Sequence, residues 1–286
     1  MSKTIISLFI IAVVCFATTA NAQSIGDEVK QRGVLRIGTG NTLPPLNYVD
    51  KDGDWKGFDI DIGNALADKL GVKVERVVVN NKTRIAFLAN RRIDLAISSM
   101  SHTKSRDEQI DYAEPAYFWT GKVFYAKKGR YKSFADLGGQ RICVNQGSNA
   151  YIAVPQEIAK YSDKKPEMVA LQNQSECWLS LKQGKVDVWS TDVPVIVGIV
   201  RRESSDYEVV GTIYSPGLYG IGVPPNDSKW RDTISFALQE MLHDGSYEKI
   251  YQKWFGSDGE FPLPTNSRPR LPEDLFGMNN QYVWPD

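Results

Sequence analysis

Histidine is almost missing from this chain: His102 and His243 are the only two in 286 residues. Cysteine is scarce as well, with Cys15, Cys143 and Cys177 and no CxxC pair. No His/Cys set stands at metal-ligand spacing and no vicinal dithiol exists, so neither a metal site nor thiol redox chemistry is expected. Net charge is absent too, 34 Lys and Arg balancing 34 Asp and Glu. A neutral chain offers no electrostatic argument for a nucleic-acid partner or a membrane surface. Beyond the N-terminal end, no apolar run reaches the roughly 20 residues that span a bilayer. Gly38-Thr39-Gly40 lacks the third glycine of a dinucleotide fingerprint, and no Ser-His-Asp set or phosphate loop is present. No cofactor is therefore expected.

What is present begins with a leader. Lys3 precedes an apolar run, residues 5–16, and Ala20-Asn21-Ala22 forms a small-x-small cleavage site. The apolar run is too short to cross a membrane, so residues 1–22 are expected to be a secretory signal peptide. A lipid anchor on Cys15 is disfavoured because Val14, not a small residue, precedes it. Cleavage after Ala22 predicts a soluble protein exported to the periplasm. It removes Lys3 and leaves 33 basic residues against 34 acidic. In that oxidising compartment Cys143 and Cys177 are expected to pair. The bond would close a loop of about 35 residues and stabilise by about 3–4 kcal/mol. Two buried free thiols are the alternative.

The mature chain is too long for one small core and suits two lobes. Residues 34–38 read as a strand and residues 58–70 as a helix, with Ile60, Ile62, Ala65, Leu66 and Leu70 near helical spacing. A β-branched strand at 72–79, a helix at 84–90 and a strand at 95–98 complete a βαβαβ unit. Such a unit implies a largely parallel sheet flanked by helices. A second unit starts after Gly121: strands at 123–126, 141–144, 169–171 and 186–189, helices at 133–137 and 177–183, and another helix opened by Gly147-Ser148-Asn149. Residues 184–188 (GKVDV) echo residues 91–95 (RRIDL). Two apolar helical faces follow, Ile234/Leu238/Met241/Leu242 and Tyr247/Ile250/Tyr251/Trp254/Phe255, the second stopped by Gly256. The proline-rich tail (Pro262, Pro264, Pro269, Pro272, Pro285) fits neither helix nor sheet interior.

Each unit delivers a strand whose carboxyl end is polar: Ser98 and Ser99 in one, Thr191 and Asp192 in the other. Ligands of open α/β sheets bind outside such ends. After the first of these strands come Ser98, Ser99, Ser101, Thr103 and Arg106. Hydroxyls, main-chain N–H groups and one guanidinium fork together suit a planar carboxylate. An ordinary strand-to-helix turn with a solvated Arg fits the same residues.

From about Gly33 to Gly256 the chain resembles the periplasmic solute-binding proteins of polar amino-acid ABC importers. The resemblance is carried by GFDIDI at 57–62 with Ala65 and Leu66, by SSMSxTxxR at 98–106, and by IDYAEP at 110–115. Gln146-Gly147-Ser148, Thr191-Asp192 and the terminal helix at 247–256 complete it. It implies a two-lobe α/β fold in which each lobe is a mostly parallel sheet flanked by helices. Lobe 1 would be residues 23–118 and 217–286, and lobe 2 residues 119–216. Two hinge strands, near 117–121 and 215–220, would join them, open when empty and closed when loaded. Arg106 would pair with the α-carboxylate, assisted by N–H or hydroxyl groups of Ser99, Ser101 and Ser148, and Asp192, together with Ser99, would accept from the α-ammonium. A buried zwitterion needs both charges met. The implied partners are a free amino acid and an inner-membrane ABC permease, with the binding protein itself a monomer and no enzyme.

Members that bind basic amino acids place an acidic residue where Gly40 stands, and aromatics near Leu43 and Asn81. This chain has none of the three. Its residues 81–85 (NKTRI) resemble the N-R-I-P segment of glutamate/aspartate binders, which implies that Arg84 reaches a side-chain carboxylate or amide. Ser175-Glu176-Cys177 is also similar to glutamate-type members, whereas their second Arg near Gly40 is missing here. Glu, Asp, Gln or Asn is therefore the expected ligand. Two alternatives remain: a ligand-presenting partner of a sensor or accessory of a periplasmic oxidoreductase, and an enzyme like the cyclohexadienyl dehydratases. The latter carry a carboxylic acid three residues after the lobe-two Asp, where this chain has Val195.

Overall fold

The computed structural model describes residues 23–200, 205–263 and 266–270. The expected leader and most of the proline-rich tail lie outside these residues. Helix α1 (Ile25–Arg32) is capped by Ser24, whose side chain accepts from the Gly26 N–H, and ends at Gly33 in the left-handed region. Strand β1 (Val34–Thr39) enters the sheet, and a small antiparallel sheet of β2 (Thr42–Leu43), β3 (Asn47–Val49) and β4 (Trp55–Lys56) follows. Gly57 sits at φ 131°, where a Cβ would lie 2.2 Å from the Leu46 carbonyl oxygen, so glycine is required for the chain to enter α2 (Phe58–Leu70). Strand β5 (Lys73–Val78), helix α3 (Arg84–Ala89), strand β6 (Leu95–Ala96) and the short helix α4 (Lys104–Asp107) complete the first half. Both β5 and β6 pair with β1 in parallel, as the βαβαβ pattern predicts.

Strand β7 (Asp111–Lys127) then runs 17 residues without a break into the second half. A 3-10 turn (Phe134–Leu137) leads to β8 (Arg141–Asn145), α5 (Ala150–Ile158), β9 (Glu167–Leu171), α6 (Gln174–Lys182), β10 (Val188–Asp192) and α7 (Val193–Val200). Strand β11 (Tyr207–Val223), also 17 residues, returns antiparallel to β7. Helices α8 (Ser228–His243) and α9 (Ser246–Phe255) pack back on the first half.

The order β5-β1-β6-β11-β7-β10-β8-β9 puts the two long strands in the middle. Each lobe is therefore a mostly parallel sheet with the same antiparallel pair as its inner edge. The sequence pattern marks only fragments of these strands, near 123–126 and at the hinge. Their continuity is set by pairing with each other, not by local alternation.

Both lobes use one device at the start of their first strand. The Asp94 carboxylate accepts from the Arg36 main-chain N–H and pairs with the Arg36 and Arg32 guanidiniums. The Asp187 carboxylate accepts from the Arg141 N–H at 3.2 Å and pairs with Arg141 and Arg130. The echo between residues 91–95 and 184–188 is thus a repeated structural motif. Beneath the hinge, the Phe58 ring packs against Tyr117, Phe118, Tyr247, Tyr251 and Phe255. The α9 face read from the sequence supplies three of these five rings. In the second lobe Cys143 on β8 and Cys177 on α6 form a disulfide, both fully buried.

Candidate functional site

The polar strand ends face one another across a cavity of about 220 Å³. Arg84, Ser99, Ser101 and Arg106 line it from the first lobe, and Ser148 and Asp192 from the second. The structure thus brings all six sequence-nominated residues into one space, together with Ser98.

The first wall is built by a buried and a half-buried donor, each fixed to a main-chain carbonyl. Arg84, at the first turn of α3, is 3% exposed and donates from Nη1 to the Ser98 carbonyl oxygen at 2.7 Å. Arg106, in α4, donates from Nη1 to the Ser101 carbonyl oxygen at 2.8 Å. Arg84 is therefore no solvated helix-start residue. Burial, and then repulsion from Arg106, pull its pKa down to about 9, and burial lowers that of Arg106. A buried and a half-buried guanidinium close enough to repel each other favour an anion between them. The buried Arg84 Nε and Ser148 Oγ have no hydrogen-bond partner among the described residues.

Ser99 adopts φ 51°, rare for a side chain with a Cβ. Its hydroxyl donates to Asp59 at 2.9 Å and accepts from Asn47 Nδ2 at 2.9 Å, which holds the turn in that conformation. Asp59 is fully buried in α2 and also accepts from Tyr117 and Asn47. Desolvation lifts its pKa to about 6 in spite of these donors.

Asp192, the last residue of β10, accepts from Lys122 Nζ at 3.0 Å and from the Tyr219 hydroxyl at 2.7 Å. Lys122 is 3% exposed and lies on β7 directly opposite Asp192 in the antiparallel register. Sequence reading missed Lys122, Tyr219, Asn47 and Asp59. Asp59 stands inside the GFDIDI signature and could have been singled out there. Lys122 carried no local signal, because its partner is 70 residues away.

The rim joins the lobes. Asn81 Nδ2 donates to Asn145 Oδ1 across the mouth of the cavity. Gly198 of α7 lies so near the first lobe that a Cβ would stand 2.0 Å from the Pro44 carbonyl oxygen. The cleft is closed in this arrangement.

The profile of the bacterial extracellular solute-binding proteins, family 3, matches residues 35–257. The chain belongs to this family. It is 34% identical over 277 residues to the ABC transporter glutamine-binding protein of Bacillus subtilis (strain 168), covering 90% of this chain and 97% of that protein. An ancestral arginine-binding protein, solved with arginine and with glutamine, superposes with TM-scores of 0.73 and 0.71 at 38% identity, covering 79% of this chain and 99% of that one. An ancestral amino acid-binding protein described as a precursor of cyclohexadienyl dehydratase gives a TM-score of 0.71 at 29% identity, covering 81% and 98%. The chain shares the two-lobe architecture of these amino-acid-binding neighbours.

Proposed function

We propose that this protein is the extracytoplasmic ligand-binding component of an amino-acid ABC importer. It closes its two lobes, divided near residues 118/119 and 216/217, around a polar L-amino acid of the Glu, Asp, Gln or Asn type. The observation that carries this reading is that one cavity sets the buried Arg84 and the half-buried Arg106 on one lobe against a carboxylate, Asp192, on the other. The α-carboxylate meets Arg106 and the hydroxyls of Ser101 and Ser148, and the α-ammonium meets Asp192. Arg84 meets a side-chain oxygen. A ligand that touches both lobes binds the closed state better than the open one, which is what drives hinge closure. Export by the residue 1–22 leader to the periplasm, and delivery to an inner-membrane permease by a monomeric protein, complete the proposal. The glutamine- and arginine-binding relatives support an amino-acid ligand, and the family name supports an extracellular setting.

Catalysis finds less support. Among the described residues Asp192 is the one carboxylic acid lining the cavity, and it is held by Lys122 and Tyr219, so no second acid there stands ready to protonate a leaving group. Position 195, where the dehydratase-like pattern asks for an acid, is a valine that also lines the cavity.

A thermal-shift screen over the 20 L-amino acids tests the proposal. A true ligand at 100 times its Kd stabilises by about 2.7 kcal/mol. Stabilisation by at least one of Glu, Asp, Gln and Asn is expected. A screen in which no amino acid raises the melting temperature overturns the reading.

A further inference from the structure

We propose that Lys122 makes the cleft selective for amino acids with a side-chain carboxylate, over their amides and over basic amino acids. The inference rests on the amino-acid reading above and names the substrate class within it. Lys122 lies on β7 just past the hinge segment, lines the cavity, and holds Asp192 through its ammonium.

Charge balance carries the argument. Among the described residues, three cations line the cavity, Arg84, Arg106 and Lys122, against one anion, Asp192. Behind Ser99 lies a second carboxyl, Asp59. Counting it as ionised leaves an excess of one positive charge. Neither arginine is in an ion pair among the described residues, and each spends one Nη1 on a main-chain carbonyl. Remove Lys122 from the count and two arginines balance two carboxylates, so a ligand of zero net charge would suit the site. With Lys122 present, balance requires a ligand carrying one net negative charge. An α-amino dicarboxylate supplies that charge. An amide leaves one cation uncompensated, and a basic amino acid leaves two. In a desolvated cavity such an excess is costly.

The ammonium of the ligand still has a place. A carboxylate offers about four acceptor positions, and Lys122 and Tyr219 take one on each Asp192 oxygen. Lys122 therefore does not exclude a zwitterion; it offsets the charge that Asp192 would otherwise contribute against the arginines.

Calorimetric titration of the mature protein with L-glutamate, L-glutamine and L-arginine tests this, using wild type, Lys122→Gln and Lys122→Arg. Wild type should bind L-glutamate at least about tenfold more tightly than L-glutamine, and L-arginine more weakly than either. Lys122→Arg keeps the charge and should keep the order. Lys122→Gln should bring the glutamate-to-glutamine ratio to within about threefold of one, chiefly by weakening glutamate. A purely structural role for Lys122 would weaken both ligands alike and leave the ratio where it was, which overturns the proposal. Wild type that prefers L-glutamine or L-arginine also overturns it while leaving the importer reading intact. Wild type that binds no amino acid overturns both. Because the wild-type ratio and Lys122→Arg decide the matter on their own, a Lys122→Gln chain that fails to fold does not shelter the proposal.

Discussion

The two lobes share a scaffold device and differ in what they present to the cleft. Each ties its first strand to the start of a later one through an Asp that accepts a main-chain N–H and pairs with two arginines. In the first lobe this Asp, Asp94, is 1% exposed and its arginines are about 30% exposed; in the second, Asp187 is 9% exposed and its arginines 40–48%. The first lobe is also covered by α8 and α9, whereas the second carries the disulfide. A smaller unit with fewer helices over its sheet gains from a crosslink. At the cleft the contrast is one of charge: arginines locked to carbonyls on one wall, an acid held by the β7 lysine Lys122 on the other.

The largest expected effect breaks the charge contrast itself. Arg106→Ala and Asp192→Ala should each weaken ligand binding by about 2–5 kcal/mol, because each leaves one buried charge of the zwitterion unmatched. Calorimetry on both variants checks it, and near wild-type affinity in either would remove that residue from the binding set.

Next comes the shared Asp device. Asp94→Ala should destabilise the ligand-free protein by about 3–5 kcal/mol, since it strands two guanidiniums and a main-chain N–H in a buried site. Asp187→Ala should cost only about 1–2 kcal/mol, its arginines being half in water. Equal losses in urea unfolding would mean that burial does not separate the two copies.

Removing the crosslink sharpens the scaffold comparison. The paired substitution Cys143→Ser with Cys177→Ser should cost about 2–4 kcal/mol of stability. Proteolysis of the ligand-free variant should cut the second lobe first, and cleavage beginning in the first lobe would contradict that order.

The buried Asp59 under Ser99 gives the first lobe a pH signature. Its folded-state pKa, about 6, lies above its ordinary value of 3.8, so the folded protein holds this proton more tightly than the unfolded chain. The resulting stabilisation is full below pH 3.8 and is lost as pH rises through about 6. A gap of that size between folded and unfolded chain corresponds to about 3 kcal/mol. Comparing wild type with Asp59→Asn in denaturant at pH 4 and pH 6.5 isolates the effect, because other carboxylates titrate equally in both. A difference between the two proteins that does not change with pH would refute it.

The smallest effect is at the rim. Asn81→Ala removes the hydrogen bond to Asn145 and should weaken binding by about 0.5–1.5 kcal/mol, with little change in ligand-free stability. A faster ligand off-rate in stopped-flow fluorescence is the expected sign.

Much of the cleft was legible from residue order. The polar ends after residues 97 and 190, the single Arg after the serines, and the βα rhythm of each half depend on local pattern, and each is present in the structure. Arg84 was nominated through a resemblance, but its burial was not visible: the helix it begins is only six residues long, and all five that follow Arg84 are apolar, so no buried face stands out. The small sheet β2–β4 and helices α1 and α7 went unread. Strands of two or three residues carry too little alternation to register, and α7 is apolar nearly all round, without the face that marks a surface helix.

From the sequence alone came the expectation of a leader, the two-lobe α/β organisation and the cysteine pair, which rest on composition, period and motif carried by neighbouring residues. The roles of both charged anchors came through the family resemblance. The charge balance of the cavity was decided only by the tertiary structure. Lys122 reads as an ordinary strand lysine until the antiparallel register of β7 and β10 sets it opposite Asp192 and buries it. A charge acquires its meaning from what desolvates and faces it, and both arise from contacts between residues far apart in the chain.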